Sequence, residues 1–157
     1  MRGALQLVSV VAAARRKDWW TARDRLRDVV TPAAARAGEG NVMWTVFGPT
    51  NVALHSVSIE MEAGDATEGL HQADRVDTSG MASMERAFTF LLDVARCNDL
   101  RREDAAVLLY LLQAEGMAPE DLARMQQARD MVVGLMRRGR GMHARQAQAL
   151  AGRMGML

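Results

Sequence analysis

Apolar residues recur at helical spacing on two faces of the segment from Met84 to Cys97, and this pattern constrains the fold more than any other feature of the sequence. One face carries Met84, Phe88, Leu91 and Ala95, and the other carries Phe90, Val94 and Cys97. A helix buries each face that is apolar, so this segment requires packing neighbours on two sides. The pattern therefore predicts a layered assembly of helices.

The composition favours the same fold class. Of the residues, 49% are hydrophobic but only 4% are aromatic, and the chain contains 3 prolines. Ala, Leu, Met, Arg, Glu and Gln are good helix formers, whereas β-branched and aromatic residues favour strands. A length of 157 residues is sufficient for one domain with a proper core. We therefore expect an all-α fold and a single domain over residues 1–157.

Turn signals divide the chain into paired helical segments. Gly and Pro are frequent in the connector from Ala37 to Thr50, which includes NVMWTVF, a stretch that alternates like a short strand but has no partner strand. The pattern is helix, tight turn, helix and connector, three times over, followed by a further pair. About eight helices are predicted, over Ala4–Arg16, Trp20–Val30, Asn51–Ala63, Ala66–Val76, Met84–Cys97, Glu103–Glu115, Leu122–Arg138 and His143–Met154.

Charge and cysteine content restrict the environment. The formal net charge is only +1, so the chain as a whole has no strong field for nucleic acid or an anionic membrane. Cys97 is the single cysteine, which fits a reducing cytoplasm. The apolar run from Ala4 to Ala14 is too short to span a bilayer, and its charges follow it where a signal peptide has them in front. We expect a cytoplasmic protein that binds neither membranes nor nucleic acid directly.

The segment pairs resemble tetratricopeptide hairpins. The turn at Asp18-Trp19 is followed by small Ala22 and large Leu26, and the turn at Gly64-Asp65 is followed by small Gly69. Further matches are small Ala95 in the third unit and Ala114 and Pro119 at its closing positions. Equivalent points are Val10, Val57 and Ala95, at spacings of 47 and 38 residues, longer than the family's repeat of about 34. The resemblance implies a degenerate tetratricopeptide-like array of antiparallel hairpins.

A narrower resemblance covers the chain from about Trp19 to its C-terminus. The run FGPTNVALHSVSIEMEAGDATEGLHQAD, followed by MERAFTFLLDVARCNDLRREDAAVLLYLLQAEGMAPE, is similar to the carboxy-terminal repeat domain of actinobacterial Xre-type helix-turn-helix transcriptional regulators. In that family an amino-terminal helix-turn-helix reads DNA, and the repeat domain is thought to dimerise or to sense a ligand or peptide. We find no helix-turn-helix before Ala4, so we expect a separated sensor domain or a short paralogue, acting as a homodimer.

Polar residues at helical spacing are the candidate binding residues. Asn51, His55, Ser58 and Glu62 fall on one face of the predicted helix Asn51–Ala63 and form what we call the Asn51 stripe. Thr89, Asp93 and Arg96 form a matching stripe in the next unit. The family resemblance places these faces in a concave groove, where Asn51 could bond peptide amides and Arg96 a carboxylate. The alternative is that both stripes are solvated polar faces.

Trp44 and Phe47 lie in the glycine-rich connector, just before the Asn51 stripe. They could form one wall of an apolar ligand pocket. The alternative for Phe47 is structural, because a hydrophobic residue just before a helix often packs against one just inside it, here Val52.

Catalysis and metal binding have no sequence support. His55, His71, His143 and Cys97 lie on separate predicted helices, without metal-ligand spacing, and a straight helix carrying His55, Ser58 and Glu62 offers no oxyanion hole. We therefore expect no enzyme activity, no metal and no cofactor. The basic segment Arg137–Arg145 could contact nucleic acid in a longer assembly, although cations near a helix C-terminus also have an electrostatic reason.

The expected function is binding of a peptide, a protein or a small-molecule effector in the groove, as the sensing or dimerisation domain of a transcriptional regulator. The competing interpretation is a tetratricopeptide-like scaffold for protein interactions without a small ligand. A sensor predicts a closed apolar pocket beside Trp44 and Phe47, whereas a scaffold predicts an open groove.

Overall fold

The computed structural model describes residues 2–40, 46–81 and 83–157. These residues are all-helical with no strand among them, which confirms the all-α prediction. The chain divides into two compact units, residues 1–86 and 87–157, and each is described by itself. The expected single domain stays a prediction. Of the connector stretch NVMWTVF, Asn41 to Thr45 lie outside the described residues.

The first unit contains two helical hairpins and short additional turns. Its elements are α1 (Arg2–Arg15), α2 (Trp19–Arg25), a π-helical turn (Leu26–Val30), α3 (Thr31–Ala37), α4 (Pro49–Ala63), α5 (Ala66–Ala73) and a 3₁₀ turn (Thr78–Gly80). The π-helical turn joins α2 to α3 without a break, and α3 has Pro32 in its first turn.

The second unit is also helical throughout. Its elements are α6 (Met84–Leu100), which begins just before the unit boundary, α7 (Asp104–Met117), α8 (Pro119–Arg124), α9 (Gln126–Arg138) and α10 (Gly141–Arg153). The single helix predicted from Leu122 to Arg138 is wrong, because Met125 has an extended backbone (φ −75°, ψ 112°) that separates α8 from α9. No described helix is long and apolar enough to cross a bilayer.

The same backbone turn closes three hairpins. Each begins with a residue in the left-handed region, namely Lys17 (φ 61°), Gly64 (φ 82°) and Arg102 (φ 62°). Each continues with an acidic residue whose N–H donates to the carbonyl five residues earlier at 3.0 Å, namely Asp18, Asp65 and Glu103. This is the Schellman pattern of a helix C-terminus. The turns are 47 and 38 residues apart, which are the spacings that the sequence predicted for the repeats.

Each unit has its own buried cluster. In the first, the inner face of α1 packs with residues of α2, the π-helical turn, α3 and α4; the cluster is Leu7, Val10, Ala13, Ala14, Ala22, Leu26, Val30, Ala34, Val52 and Ile59. In the second, Phe88, Leu92 and Ala95 of α6 pack with residues of α7 to α10. The fully buried Ala22 and Ala95 allow their helices to approach closely.

Helix α7 is less buried than its apolar sequence suggests. Val107, Leu108, Leu111 and Ala114 are buried, but Leu109 is 52% exposed. The helix therefore has one solvent-facing side despite an almost continuous apolar run.

This contrast within one helix gives a stability test. Leu111→Ala should reduce the free energy of unfolding by about 2–5 kcal/mol, because Leu111 is fully enclosed in the second cluster. Leu109→Ala removes the same atoms from an exposed position and should cost less than about 1 kcal/mol. Urea unfolding followed by circular dichroism measures both. Equal losses would contradict the assigned orientation of α7.

Candidate functional site

An open groove of about 510 Å³ lies in the first unit. Helix α4 contributes Ser56 and Glu60 to the groove. Both project from the side of the helix opposite the Asn51 stripe. The complete lining is Arg23, Leu26, Arg27, Thr31, Ser56, Glu60, Asp65, Glu68, Gln72 and Arg75. The groove is thus bordered by α2, the π-helical turn and α3 on one side and by α5 on the other.

A bidentate ion pair joins α2 to α4 within the groove. Arg23 Nε donates to Glu60 Oε1 at 2.9 Å and to Oε2 at 3.1 Å, and Arg23 Nη2 also bonds Oε2. Glu60 is only 6% exposed, so its charge depends on this partner. The hydrogen bonds that Arg23 donates to Glu60 raise the pKa of Arg23. The Arg23–Glu60 pair therefore fixes α2 against α4 at the centre of the groove.

The π-helical turn shapes the groove wall that also contains α2 and α3. The N–H and the hydroxyl of Thr31 both bond the Leu26 carbonyl, the hydroxyl at 2.9 Å. A π turn inserts one extra residue into a helical turn, and such turns are frequent at functional sites. Here the turn places Leu26 and Arg27 on the groove, where Arg27 is paired with Asp24 and Asp28.

The far wall retains unused hydrogen-bonding capacity. Gln72 donates to Glu68 Oε1, which leaves its carbonyl oxygen and one N–H available. Arg75, just beyond α5, has no ion pair among the described residues. Ser56 is half-buried and carries a hydroxyl that can donate and accept. The groove therefore offers donors and acceptors along its length.

On the other side of α4, the predicted binding residue Asn51 is buried. It is 5% exposed, and its Oδ1 has no hydrogen-bond partner in the described structure. The neighbouring cavity, lined by Thr50, Leu54 and Arg86 among others, measures about 20 Å³. That volume fits one water molecule and no organic ligand. Asn51 therefore does not face an open groove.

Glu39 and Gly48 define the start of α4. The Thr50 N–H donates to Glu39 Oε1 at 2.7 Å, which satisfies one of the free amide groups of the first turn. A Cβ on Gly48 would lie 2.4 Å from Glu39 Oε2 and 3.1 Å from its Cα, so the glycine makes room for this contact. The FGPT motif thus serves helix initiation.

His55 contacts a cation. Its Nε2 lies 3.4 Å from Arg86 Nη1, and because a guanidinium only donates, Nε2 accepts and the neutral ring carries its proton on Nδ1. Burial, with the nearby Arg86 charge, lowers the pKa of His55 to about 4. His55 is therefore a neutral, hydrogen-bonded residue at physiological pH.

The remaining predicted residues fall into different environments. Glu62 is exposed and Ser58 is half-buried on α4. Phe47 packs against the first cluster, which includes Val52, and its ring lies over Gly3, where a Cβ would be 2.4 Å away. This contact favours the structural interpretation of Phe47. Trp44 lies outside the described residues.

The second predicted stripe belongs to the second unit. On α6, Thr89 is exposed, Arg96 is half-buried and Asp93 is buried. Their participation in binding stays a prediction.

Ser56, Glu60, Gln72 and Arg75 are the groove residues that sequence reasoning missed. Glu60 had a usable signal, since it interrupts the apolar pair Ile59 and Met61 on a predicted helix. A carboxylate in such a position needs a cationic partner. Nothing local identifies that partner as Arg23, which precedes it by 37 residues.

The described residues contain no group of His, Cys, Asp and Glu side chains that could hold a metal ion. No known protein family, curated protein or solved structure matches this chain.

The pKa of His55 predicts how stability depends on pH. Its folded-state value of about 4 lies below the ordinary value of 6.5, so protons bind the unfolded chain more readily. The contribution of neutral His55 to the free energy of unfolding is fully present above pH 6.5. It is lost as the pH falls towards 4, by at most about 1.4 kcal/mol per pH unit. Urea unfolding at pH 7 and pH 5 should show a smaller loss for His55→Gln than for the wild type. The control is Thr67→Ala, an exposed residue of α5, which removes no titratable group and should keep the wild-type dependence.

The Arg23–Glu60 pair predicts a double-mutant cycle. Arg23→Ala leaves the buried Glu60 charge unpaired and should cost about 2–3 kcal/mol of stability. Removing both side chains in Arg23→Ala/Glu60→Ala should recover part of that loss. Arg27→Ala, which breaks only exposed pairs, should leave the free energy of unfolding nearly unchanged. Additive losses in the cycle, measured by urea unfolding, would refute the coupling.

Proposed function

We propose that this chain is a peptide-binding helical-repeat domain and that its binding surface is the groove between α2, the π-helical turn, α4 and α5. The observation that carries the proposal is the size and openness of this groove, about 510 Å³, with hydrogen-bonding side chains along both walls. Its centre is held rigid by the Arg23–Glu60 pair, so a bound chain would meet a preformed surface.

A peptide suits this lining better than a small apolar molecule does. Small-molecule sites are mostly apolar and largely enclosed, whereas this groove is open and carries charges of both signs. An extended peptide brings one N–H and one carbonyl per residue, and Ser56, Gln72 and Thr31 can bond such groups. Arg75 can pair with a carboxylate of the peptide.

The small-effector alternative has less support. It requires a closed apolar pocket, and the cavity beside Thr50 and Asn51 has room for one water only. Native mass spectrometry is its direct test, because a discrete adduct that disappears on denaturation would favour an effector and a clean protein mass would favour peptide binding.

The biological setting that we propose follows from the resemblance to Xre-type regulators. Peptide binding in the groove would bias dimerisation or an associated DNA reader. Self-association is part of this proposal, and the largely exposed apolar residues Leu5 and Val8 of α1 offer a surface for it.

Selection of peptides from a randomised display library, followed by affinity measurement on substituted proteins, tests the groove. Gln72→Ala/Arg75→Ala should weaken selected peptides by about tenfold or more, since each lost charge-assisted or buried bond contributes on the order of 1 kcal/mol. Both side chains lie at the groove wall, so helicity should be unchanged. The control is Arg36→Ala on exposed α3, outside the groove lining. Equal peptide affinity in the groove variant and the control would refute binding there.

A further inference from the structure

The arginines of the second unit fall into two groups. Arg138 and Arg153 are ion-paired, and Arg129 donates to backbone carbonyls. The second group, Arg96, Arg101, Arg102, Arg124, Arg137, Arg140 and Arg145, has no ion pair among the described residues. Five of its members are exposed and lie in or close to the α6–α7 and α9–α10 turns; we call these five the arginine end, namely Arg101, Arg102, Arg137, Arg140 and Arg145.

One paired residue brings the unpaired ones together. Arg138, the last residue of α9, bonds Asp99 with Nη2 and Asp104 with Nε, the latter at 2.6 Å. These bonds fix the α6–α7 turn, which contains Arg101 and Arg102, beside the α9–α10 turn. The second turn is tight, since a Cβ on Gly139 would lie 3.4 Å from the Ala144 nitrogen. Residues far apart in sequence thus form one surface.

The charge of this surface is strongly positive. Of its three carboxylates, Asp99 and Asp104 share the guanidinium of Arg138, and only Glu103 is left to face five free arginines. The opposite end of the unit carries Glu115, Glu120 and Asp121. The arginine end is therefore a local cationic surface on a nearly neutral chain.

Arg102 occupies a position that costs backbone strain. Its φ of 62° lies in the left-handed region, where the two equivalent turns of the first unit have Gly64 and Lys17. A non-glycine residue there is disfavoured by about 1 kcal/mol. Strained residues cluster at functional sites, and here the side chain retained in place of glycine is an exposed cation.

Two exposed apolar side chains flank these arginines. Leu100, at the end of α6, is 51% exposed, and Met142, in the first turn of α10, is 60% exposed. Arg and Met are enriched in protein–protein interfaces, and Lys is depleted. The surface thus combines charge with apolar contact area.

We propose that the arginine end binds an acidic segment of a protein partner, with Asp and Glu side chains on the arginines and apolar side chains on Leu100 and Met142. The guanidinium fork bonds carboxylates in a bidentate manner. A nucleic acid backbone would use the arginines but not the two apolar residues, and segments 99–104 and 137–145 contain no Phe, Tyr or Trp on which bases could stack. A membrane-surface site would require a broader apolar face.

Fluorescence anisotropy with a labelled peptide of repeated Glu-Asp-Leu units tests this assignment. The peptide should bind, and Arg101→Glu/Arg137→Glu/Arg140→Glu should weaken it by about tenfold or more, since the attraction becomes repulsion. Arg124→Glu, an exposed arginine of α8, is the matched control and should retain the affinity. Leu100→Ser/Met142→Ser should also weaken the peptide, and should leave an all-Glu peptide unaffected.

Arg102→Gly separates binding from folding. Glycine accepts the positive φ without strain, so the melting temperature should be equal or higher while peptide affinity falls. The proposal is overturned if the Glu-Asp-Leu peptide does not bind or if Arg124→Glu weakens it as much as the triple variant. Tighter binding of duplex or single-stranded DNA, or of phosphatidylserine vesicles, would also overturn it in favour of those partners.

Discussion

The hydrogen bond from an acidic residue to the carbonyl five residues earlier constrains everything else in this protein. In each of three hairpins it satisfies an end-of-helix carbonyl and reverses the chain within a few residues. Asp18 and Asp65 then cap the next helix, accepting from Thr21 N and Glu68 N at 3.2 Å. The same residue thus ends one helix and begins the next, so the two helices must run antiparallel and bury facing sides.

The sequence contained most of this organisation, because it follows from short-range patterns. Apolar periodicity identified the helices, and small residues such as Ala22 marked the close approaches. The sequence could not identify Lys17 and Arg102 as left-handed residues, since glycine is the usual marker of that conformation. Of the three hairpin turns, one has a glycine at that position, Gly64. The break at Met125 was also hidden, because apolar periodicity continues across it and no Gly or Pro interrupts it.

The site was harder to predict than the fold. Polar residues on α4 occupy both sides of the helix, and periodicity alone cannot tell which side faces a neighbour. Asn51 and His55 belong to a side that is largely enclosed, whereas Ser56 and Glu60 line the groove. The choice depends on Arg23, whose position against Glu60 is fixed by the packing of α2 on α4 rather than by any local sequence rule.

The arginines of this chain include some that form ion pairs within the fold and others that are exposed without one among the described residues. Lys17 is the only lysine in the chain, so nearly every cation is a guanidinium. A planar fork can hold both oxygens of one carboxylate, as Arg23 does with Glu60, or join two carboxylates from different helices, as Arg138 does with Asp99 and Asp104. A lysine, with one compact charge, would do neither as well. Arg23 and Arg138 are ion-paired with carboxylates of this chain. The exposed arginines around Arg138 have no such partner among the described residues, so their guanidinium groups can bond a carboxylate of another molecule. The ion pair that assembles the end of the second unit is therefore also what concentrates the free cations there.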